Sequence, residues 1–403
     1  MESIKEIFRI GRGPSSSHTM GPVRAAQRYK NRHPKAKSFK VTLFGSLAHT
    51  GKGHLTDVAI INELKPCEVE IVWAKDKSKP FHPNALEFEV ADKNSEPDNW
   101  LVYSVGGGKI VEEKNKEEKP SLIYQQKNMQ EILNYYKETG KVFWELVFET
   151  EGEEVKEHLT EVWNVMKNAI SNGLTNEGLI PGGLKLQRKA ASYYSKSKGL
   201  VDHAKTTSKI FAYALAVAEE NASGGVVVTA PTCGSAGILP AVLKISQEHY
   251  EISNDKIIRA LATAGLVGNI VKYNASISGA EVGCQGEVGT ACAMASAAAT
   301  QIAGGSPAQI EYAAEMGLEH HLGLTCDPIN GLVQIPCIER NVHAAVRAFD
   351  AARYSILSDG KHFISFDVVT KVMKETGKDM PGLYRETAQG GLAVFGDKNF
   401  VDN

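Results

Sequence analysis

The stretch TCDPINGLVQIPCIERN at residues 325–341 holds two thiols eleven positions apart, Cys326 and Cys337, each close to a proline. No CxxC occurs in the chain, but Cys284, in SGAEVGCQGEVG, completes a set whose steps are 42 residues (284 to 326) and 11 residues (326 to 337). Glycine and proline around these three positions let backbone approach a bulky inorganic group. A zinc ion and an iron–sulfur cluster both suit such thiols, and the spacing does not choose between them. Cys67 and Cys292 sit in apolar contexts and read as small buried hydrophobes. Cys233, in VTAPTCGSAGILPAV, reads as either a ligand or a buried thiol. Glu281 and Glu287 lie three positions on either side of Cys284, among small residues. A buried carboxylate needs a partner, for which Lys272, Arg340 or a substrate ammonium group would serve.

Three further groups carry potential chemistry. In GRGPSSSHTMGP, Ser15, Ser16, Ser17 and His18 precede a helical stretch, where hydroxyls and free backbone N–H groups favour an anion such as a carboxylate. An ordinary helix cap would need only one of those serines. GSLAHTGKGHLTD and KPFHPNALEF contribute His49, His54, Asp57, His82 and Asn84. A histidine can act as a general base, and Asp57, three residues after His54, would share its helical face and could orient it. The glycines of YSVGGGK at 103–109 lack the spacing of a phosphate-binding loop and suit a tight turn equally well.

The elements that must position these groups fall into two kinds. FKVTLFGSL, EVEIVWAK, LEFEVADK and WLVYSVGGG read as strands, with helices over 21–32 and 54–64 between them. The charged run 111–121 reads as a loop or linker. From about Gln125 the pattern turns to amphipathic helix, and the later helices, such as ACAMASAAATQIAGG, are rich in small residues and must pack closely. The expected fold is an α+β N-terminal domain over 1–150 followed by a mainly all-α domain over 151–403.

With 45 Lys plus Arg against 47 Asp plus Glu, the net charge of -2 offers no field for nucleic acid or an anionic membrane. No apolar run reaches the roughly 18 residues of a membrane span. A small neutral or zwitterionic ligand fits that charge, and the expected location is the cytosol.

The motifs GPSSSHTMGP, GSLAHTGKGHLTD, FHPNALEF, YSVGGGK, TAPTCGSAGILPAV, NASISGAEVGCQGEVGTAC, CDPINGLVQIPCIERN and TGKDMPGLYRETAQGGLA run in order from about residue 3 to residue 393. Together they resemble the iron–sulfur L-serine dehydratases, in the form whose β-type and α-type portions are fused. That resemblance implies deamination of L-serine to pyruvate and ammonia in a homodimer, with a 4Fe–4S cluster on Cys284, Cys326 and Cys337. Three thiolates would leave one iron open to act as a Lewis acid. It further implies a base, His54 ahead of His82, and a carboxylate site at Ser15, Ser16, Ser17 and His18, aided by Asn274 and Arg340. Glu281 would accept the ammonium group. It also implies that both domains contribute, so that the pocket forms at their interface. Two departures stand out: relatives that end in a cluster-reaching cysteine contrast with FGDKNFVDN here, and Cys233 follows TAPT where asparagine is common. The competing expectations are the same chemistry on L-threonine or L-cysteine, a pyridoxal-phosphate dehydratase using Lys109 or another lysine, and a non-catalytic amino-acid sensor or zinc-stabilised scaffold.

Overall fold

The computed structural model describes residues 1–92, 98–112 and 121–394. The chain starts in one core, crosses to a second, and returns. Met1, Ile4, Ile7 and Phe8 are buried in the large helical core, and strand β1 (Ile10–Arg12) pairs antiparallel with a strand more than 200 residues later, Val226–Val228. The serine run follows immediately, on the crossing between the cores.

The smaller core belongs to an α/β portion. It contains α1 (Gly21–Arg32), β2 (Ser38–Phe44), α2 (Gly45–Thr50), α3 (Thr56–Leu64), β3 (Glu68–Ala74), β4 (Ala85–Val90), β5 (Trp100–Ser104) and β6 (Ile110–Glu112). Its mixed sheet has the order β3-β2-β4-β5-β6, with β2 and β3 parallel and the other pairs antiparallel. Alternation explains the face: Phe39, Val41 and Leu43 on β2 are buried, as are Leu86 and Phe88 on β4. Helix α1 places Ala25, Ala26 and Tyr29 against that face, and Tyr29 stacks on Trp100 with ring centroids 5.8 Å apart.

The four expected strands are present, but the first is shorter than FKVTLFGSL. The chain turns at Gly45, φ +52°, and continues as α2. A side chain there would place Cβ 2.3 Å from the Pro83 carbonyl oxygen, so only glycine lets α2 dock on the loop carrying His82. Gly106, Gly107 and Gly108 all have positive φ and close the β5–β6 hairpin, with the Lys109 N–H donating to the Gly106 carbonyl. Lys109 itself pairs with Glu2 at 2.6 Å. Of the run 111–121, residues 113–120 lie outside the described residues.

The rest is mainly helical: α4 (Met129–Thr139), α5 (Phe143–Glu151), α6 (Glu153–Thr175), α7 (Ala190–Ser197), α8 (Asp202–Ala222), β7 (Val226–Val228), α9 (Ile238–Tyr250), α10 (Asn254–Asn274), α11 (Gly279–Val282), α12 (Thr290–Ile302), α13 (Pro307–Glu319), α14 (Cys337–Ile356) and α15 (Phe366–Asp379). Already at α4 and α5, Met129, Ile132, Phe143, Leu146 and Val147 join the large core. Every residue of α12 from Thr290 to Thr300 is buried, as its small side chains require. An α+β portion followed by a mainly helical region is the fold class expected from the chain's patterning.

Candidate active site

The serine run caps a π turn in place of an ordinary α-helical one, with Ser15 as the cap residue. Ser15 accepts a hydrogen bond from the His18 N–H at 3.0 Å, and Ser16–Met20 form a π-helical turn that leads into α1. Wide turns of this kind often mark functional sites. The turn buries Ser15, Ser16, Ser17 and His18 together. Ser17 Oγ lies 2.8 Å from His18 Nδ1 and 3.3 Å from Ser15 Oγ.

His18 is the hub of a buried polar cluster. Its Nε2 is 3.0 Å from Ser46 Oγ, and Ser46 Oγ donates to the Glu386 backbone carbonyl at 2.9 Å. That donation leaves Ser46 to accept from His18, so the partners assign the proton to Nε2 and make Nδ1 the acceptor from Ser17. The Glu386 carboxyl stands 3.5 Å from His18 Nδ1. Burial, with the nearby charges of His54 and His82, holds the His18 imidazole well below the ordinary histidine range.

His54 packs on His18 with ring centroids 4.4 Å apart. Its Nδ1 lies 3.1 Å from the Thr50 carbonyl, which can only accept, so Nδ1 carries the proton and Nε2 bears a free lone pair. That Nε2 is buried and has no hydrogen-bond partner among the described residues. Burial lowers the His54 pKa to about 4. His82 has the opposite tautomer: its Nδ1 accepts from the Asn84 N–H at 3.1 Å, leaving the proton on Nε2, which is 3.6 Å from Glu281 Oε1. Asp57 does not orient His54; its carboxylate accepts from the Val58 N–H instead. His49 is exposed.

The loop before His54 lies against the segment between the two thiols of TCDPINGLVQIPC. A Cβ on Gly53 would be 3.0 Å from the Asn330 carbonyl oxygen and 3.1 Å from that of Gly331. Cys284, Cys326 and Cys337 are all buried. Cys284 and Cys326 share a hydrogen bond that holds the Cys284 thiol down, helped by the Arg340 guanidinium, and raises Cys326. Burial and the neighbouring Cys284 raise Cys337. Burial would depress Arg340, but Cys284 and Cys337 outweigh it and hold it up; its Nη1 donates to the Thr325 carbonyl at 2.7 Å and its Nη2 is 3.6 Å from Asp327.

Two carboxyls close the ring of groups. Glu287, 4.0 Å from Cys326 Sγ, is pushed well above the usual carboxylate range by burial and by the charges of Cys284 and Glu386. Burial and Cys284 likewise raise Glu386 to about 8. The backbone of the C-terminal segment brings Glu386 here: the Glu386 N–H donates to the Cys326 carbonyl at 2.8 Å, and the Cys326 N–H donates to the Tyr384 carbonyl at 2.8 Å. Three thiols and two carboxyls thus share a buried volume in which their negative charges repel, with Arg340 as the nearby cation. Such a donor set is suited to a positively charged group. Gly279 packs closely against it, since a Cβ there would be 3.2 Å from Cys326 Sγ and 2.8 Å from Glu287 Oε2. Among the described residues no three His, Cys, Asp or Glu side chains converge on a single metal ion.

Two family models match this chain. The model described as serine dehydratase beta chain matches residues 3–72, and that described as serine dehydratase alpha chain matches residues 76–393. The chain belongs to the serine dehydratase family. Curated relatives agree along nearly their whole length: an L-serine dehydratase of Streptomyces coelicolor is 43% identical, covering 97% of this chain and 98% of its own. An L-serine dehydratase of Haemophilus influenzae is 40% identical over 98% of this chain and 99% of its own. L-serine dehydratase 1 of Escherichia coli is 39% identical with the same coverage.

In this serine dehydratase-family chain, the structure brings together Ser15, Ser16, Ser17, His18, His54, Cys284, Cys326, Cys337 and Arg340. His82 and Glu281 pair at the edge of that cluster, with Glu281 also bonded to Ser276. Asn274 is elsewhere: its amide nitrogen donates to the Lys127 and Ile270 carbonyls, at 2.8 and 2.9 Å, where α10 ends. Cys233 is buried with Sγ 3.7 Å from Met20 Sδ, and burial, then Glu287, raises its thiol. The residues that sequence reasoning left out of the site are Ser46, Glu287 and Glu386. Glu287 was marked only by its nearness to Cys284. Glu386 lies within TGKDMPGLYRETAQGGLA, where a carboxylate among small residues was the one available clue.

Proposed function

We propose that this chain deaminates L-serine to pyruvate and ammonia, with a 4Fe–4S cluster held by Cys284, Cys326 and Cys337. The acidic, buried donor set around the three thiols fits a cationic multinuclear group, and the glycine at 279 lets backbone pass close to Cys326 and Glu287. When bound, such a cluster supplies an open iron that acts as a Lewis acid on the substrate hydroxyl. The chain's own residues do the rest. Ser15, Ser16 and Ser17 on the π turn, beside His18, hold the substrate carboxylate; Arg340 adds positive charge beside Cys284. His54 Nε2 takes the α-proton, while the Thr50 carbonyl fixes the ring. Loss of hydroxide then leaves aminoacrylate, which tautomerises to an imine that water hydrolyses to pyruvate and ammonia. Glu281 accepts the ammonium group, and Glu386, facing His18, is the nearer alternative.

The observation that carries this reading is the Nε2 of His54, unpartnered among the described residues, a free lone pair in the buried cluster that His18, Glu386 and the thiols share. It supports His54 over His82 as base, because His82 Nε2 carries its proton. Cys233 is read as lining the pocket, its buried Sγ resting 3.7 Å from Met20 Sδ. The pyridoxal-phosphate alternative loses its named lysine, since Lys109 is engaged by Glu2.

Among the described residues no helix is long and apolar enough to cross a membrane. A cytosolic homodimer rests on the family resemblance, and sedimentation of the holoenzyme tests the dimer. The function is tested on anaerobically purified protein: about four iron and four sulfide per chain, turnover of L-serine above L-threonine and L-cysteine, and decay of that activity in air. A colourless, air-stable protein that does not deaminate L-serine would overturn the proposal.

A further inference from the structure

A cavity of about 560 Å3 opens between the two cores, walled by the β1 segment, α1 and α3. Among the described residues three guanidinium groups line it, from Arg9, Arg12 and Arg24, against one lining carboxylate, Glu63. The chain as a whole carries a net charge of -2, so this concentration of cations does not reflect overall composition. Each arginine is tethered by a backbone carbonyl: Arg9 by Gly107, Arg12 by Gly224 at 3.3 Å, and Arg24 by Gly108 at 3.2 Å. Arg9 is buried and also pairs with Glu6. Arg24 makes no other hydrogen bond or ion pair among the described residues, leaving most of its five N–H donors unused. Burial, then repulsion from Arg9, depresses Arg24. With Arg9 buried, Arg24 half-buried and Arg12 exposed at the mouth, like charges held in a concave space attract an anion, and planar guanidinium forks match carboxylate and phosphate oxygens.

The cavity wall also reaches the proposed base. Thr19 and Leu55 both line it. The Thr19 hydroxyl donates to the His54 carbonyl at 2.8 Å, and Leu55, next in the chain, has φ +54°. We propose that this cavity binds a small multivalent anion bearing phosphate or carboxylate groups, and that occupancy alters turnover through Thr19 and Leu55, which flank His54. The binding half stands apart from the proposed activity; the second half rests on it.

The test uses the anaerobic full-length holoenzyme, titrated with inorganic phosphate in one arm and succinate in the other, at ionic strength matched with KCl. Calorimetry is expected to show saturable binding in at least one arm, with a Tm rise that KCl does not reproduce; the stronger arm identifies the anion class. An Arg12→Met/Arg24→Met double variant should lose about tenfold or more in affinity, as expected when charge-assisted bonds are removed. Glu63→Gln, which takes away a lining carboxylate, should bind more tightly and guards against a double variant that fails to fold. Absence of saturable binding in both arms, or unchanged affinity in Glu63→Gln and in a folded double variant, overturns the site. Binding that leaves both KM and kcat for L-serine unaltered overturns the coupling to His54 while the site stands. If L-serine is not turned over at all, calorimetry still decides the site.

Discussion

His54 and His82 are both buried imidazoles in loops of the α/β portion, and their hydrogen bonds make them chemically different. A carbonyl faces Nδ1 of His54 and an N–H faces Nδ1 of His82, so one presents a lone pair at Nε2 and the other a proton. His54→Gln should therefore keep iron and sulfide but lower kcat by roughly 10²- to 10⁴-fold, the usual contribution of a general base. His82→Gln should chiefly raise KM, since it frees Glu281. Steady-state kinetics with metal analysis would check both, and near-normal kcat in His54→Gln would remove it as the base. Burial also gives His54 a pH signature. Its folded pKa of about 4 lies below the unfolded value near 6.5, so its contribution is complete above 6.5 and lost as pH falls toward 4. The buried carboxyls Glu287, Glu315 and Glu386 are shifted upward and act in the opposite sense as pH falls from their raised values toward 4.5. The comparison must accordingly be between proteins: across pH 6.5 to 4, Tm should fall less steeply in His54→Gln than in the wild type.

At the scale of elements, the strands and amphipathic helices were readable because their periodicity is local, from Phe39, Val41 and Leu43 on β2 to the buried face of α6. The short α2 was not, because its start depends on a contact rather than a pattern. Gly45 sits where a Cβ would meet the Pro83 carbonyl, and that contact holds α2, with Ser46 at its first turn, against the His82 loop. Gly45→Ala should cost more than about 1 kcal/mol from the left-handed backbone alone, plus the displacement of α2. The expected result is a lower Tm and a raised KM for L-serine, because Ser46 positions His18. An unchanged melting curve would mean that the loop yields easily. The π turn at Ser16–Met20 was likewise hidden, since a serine run preceding a helix looks the same whether it caps an α or a π turn.

For the molecule as a whole, the N-terminal segment is the seam. Residues 1–8 are packed in the helical core, and Thr229 fastens them: its hydroxyl donates to the Ile7 carbonyl at 2.7 Å and accepts from the Arg9 N–H at 2.8 Å. Thr229→Val would leave two buried backbone groups unpaired, at about 1–3 kcal/mol each. The expected outcome is a Tm lower by several degrees and faster proteolysis before residue 20, with the serine run loosened and activity reduced. Identical melting and digestion patterns would show that the seam is held elsewhere. The sequence by itself determined the thiol set, the serine run, the histidine motifs and the order of strands and helices, because residue chemistry and short-range periodicity are carried by neighbouring residues. Tertiary structure alone decided the tautomers of His54 and His82, the recruitment of Ser46 and Glu386, and the diversion of Asn274 to its helix end. The reason is reach: a buried polar atom takes whatever partner the fold delivers, and Ser46 and the carbonyl it bonds are 340 residues apart.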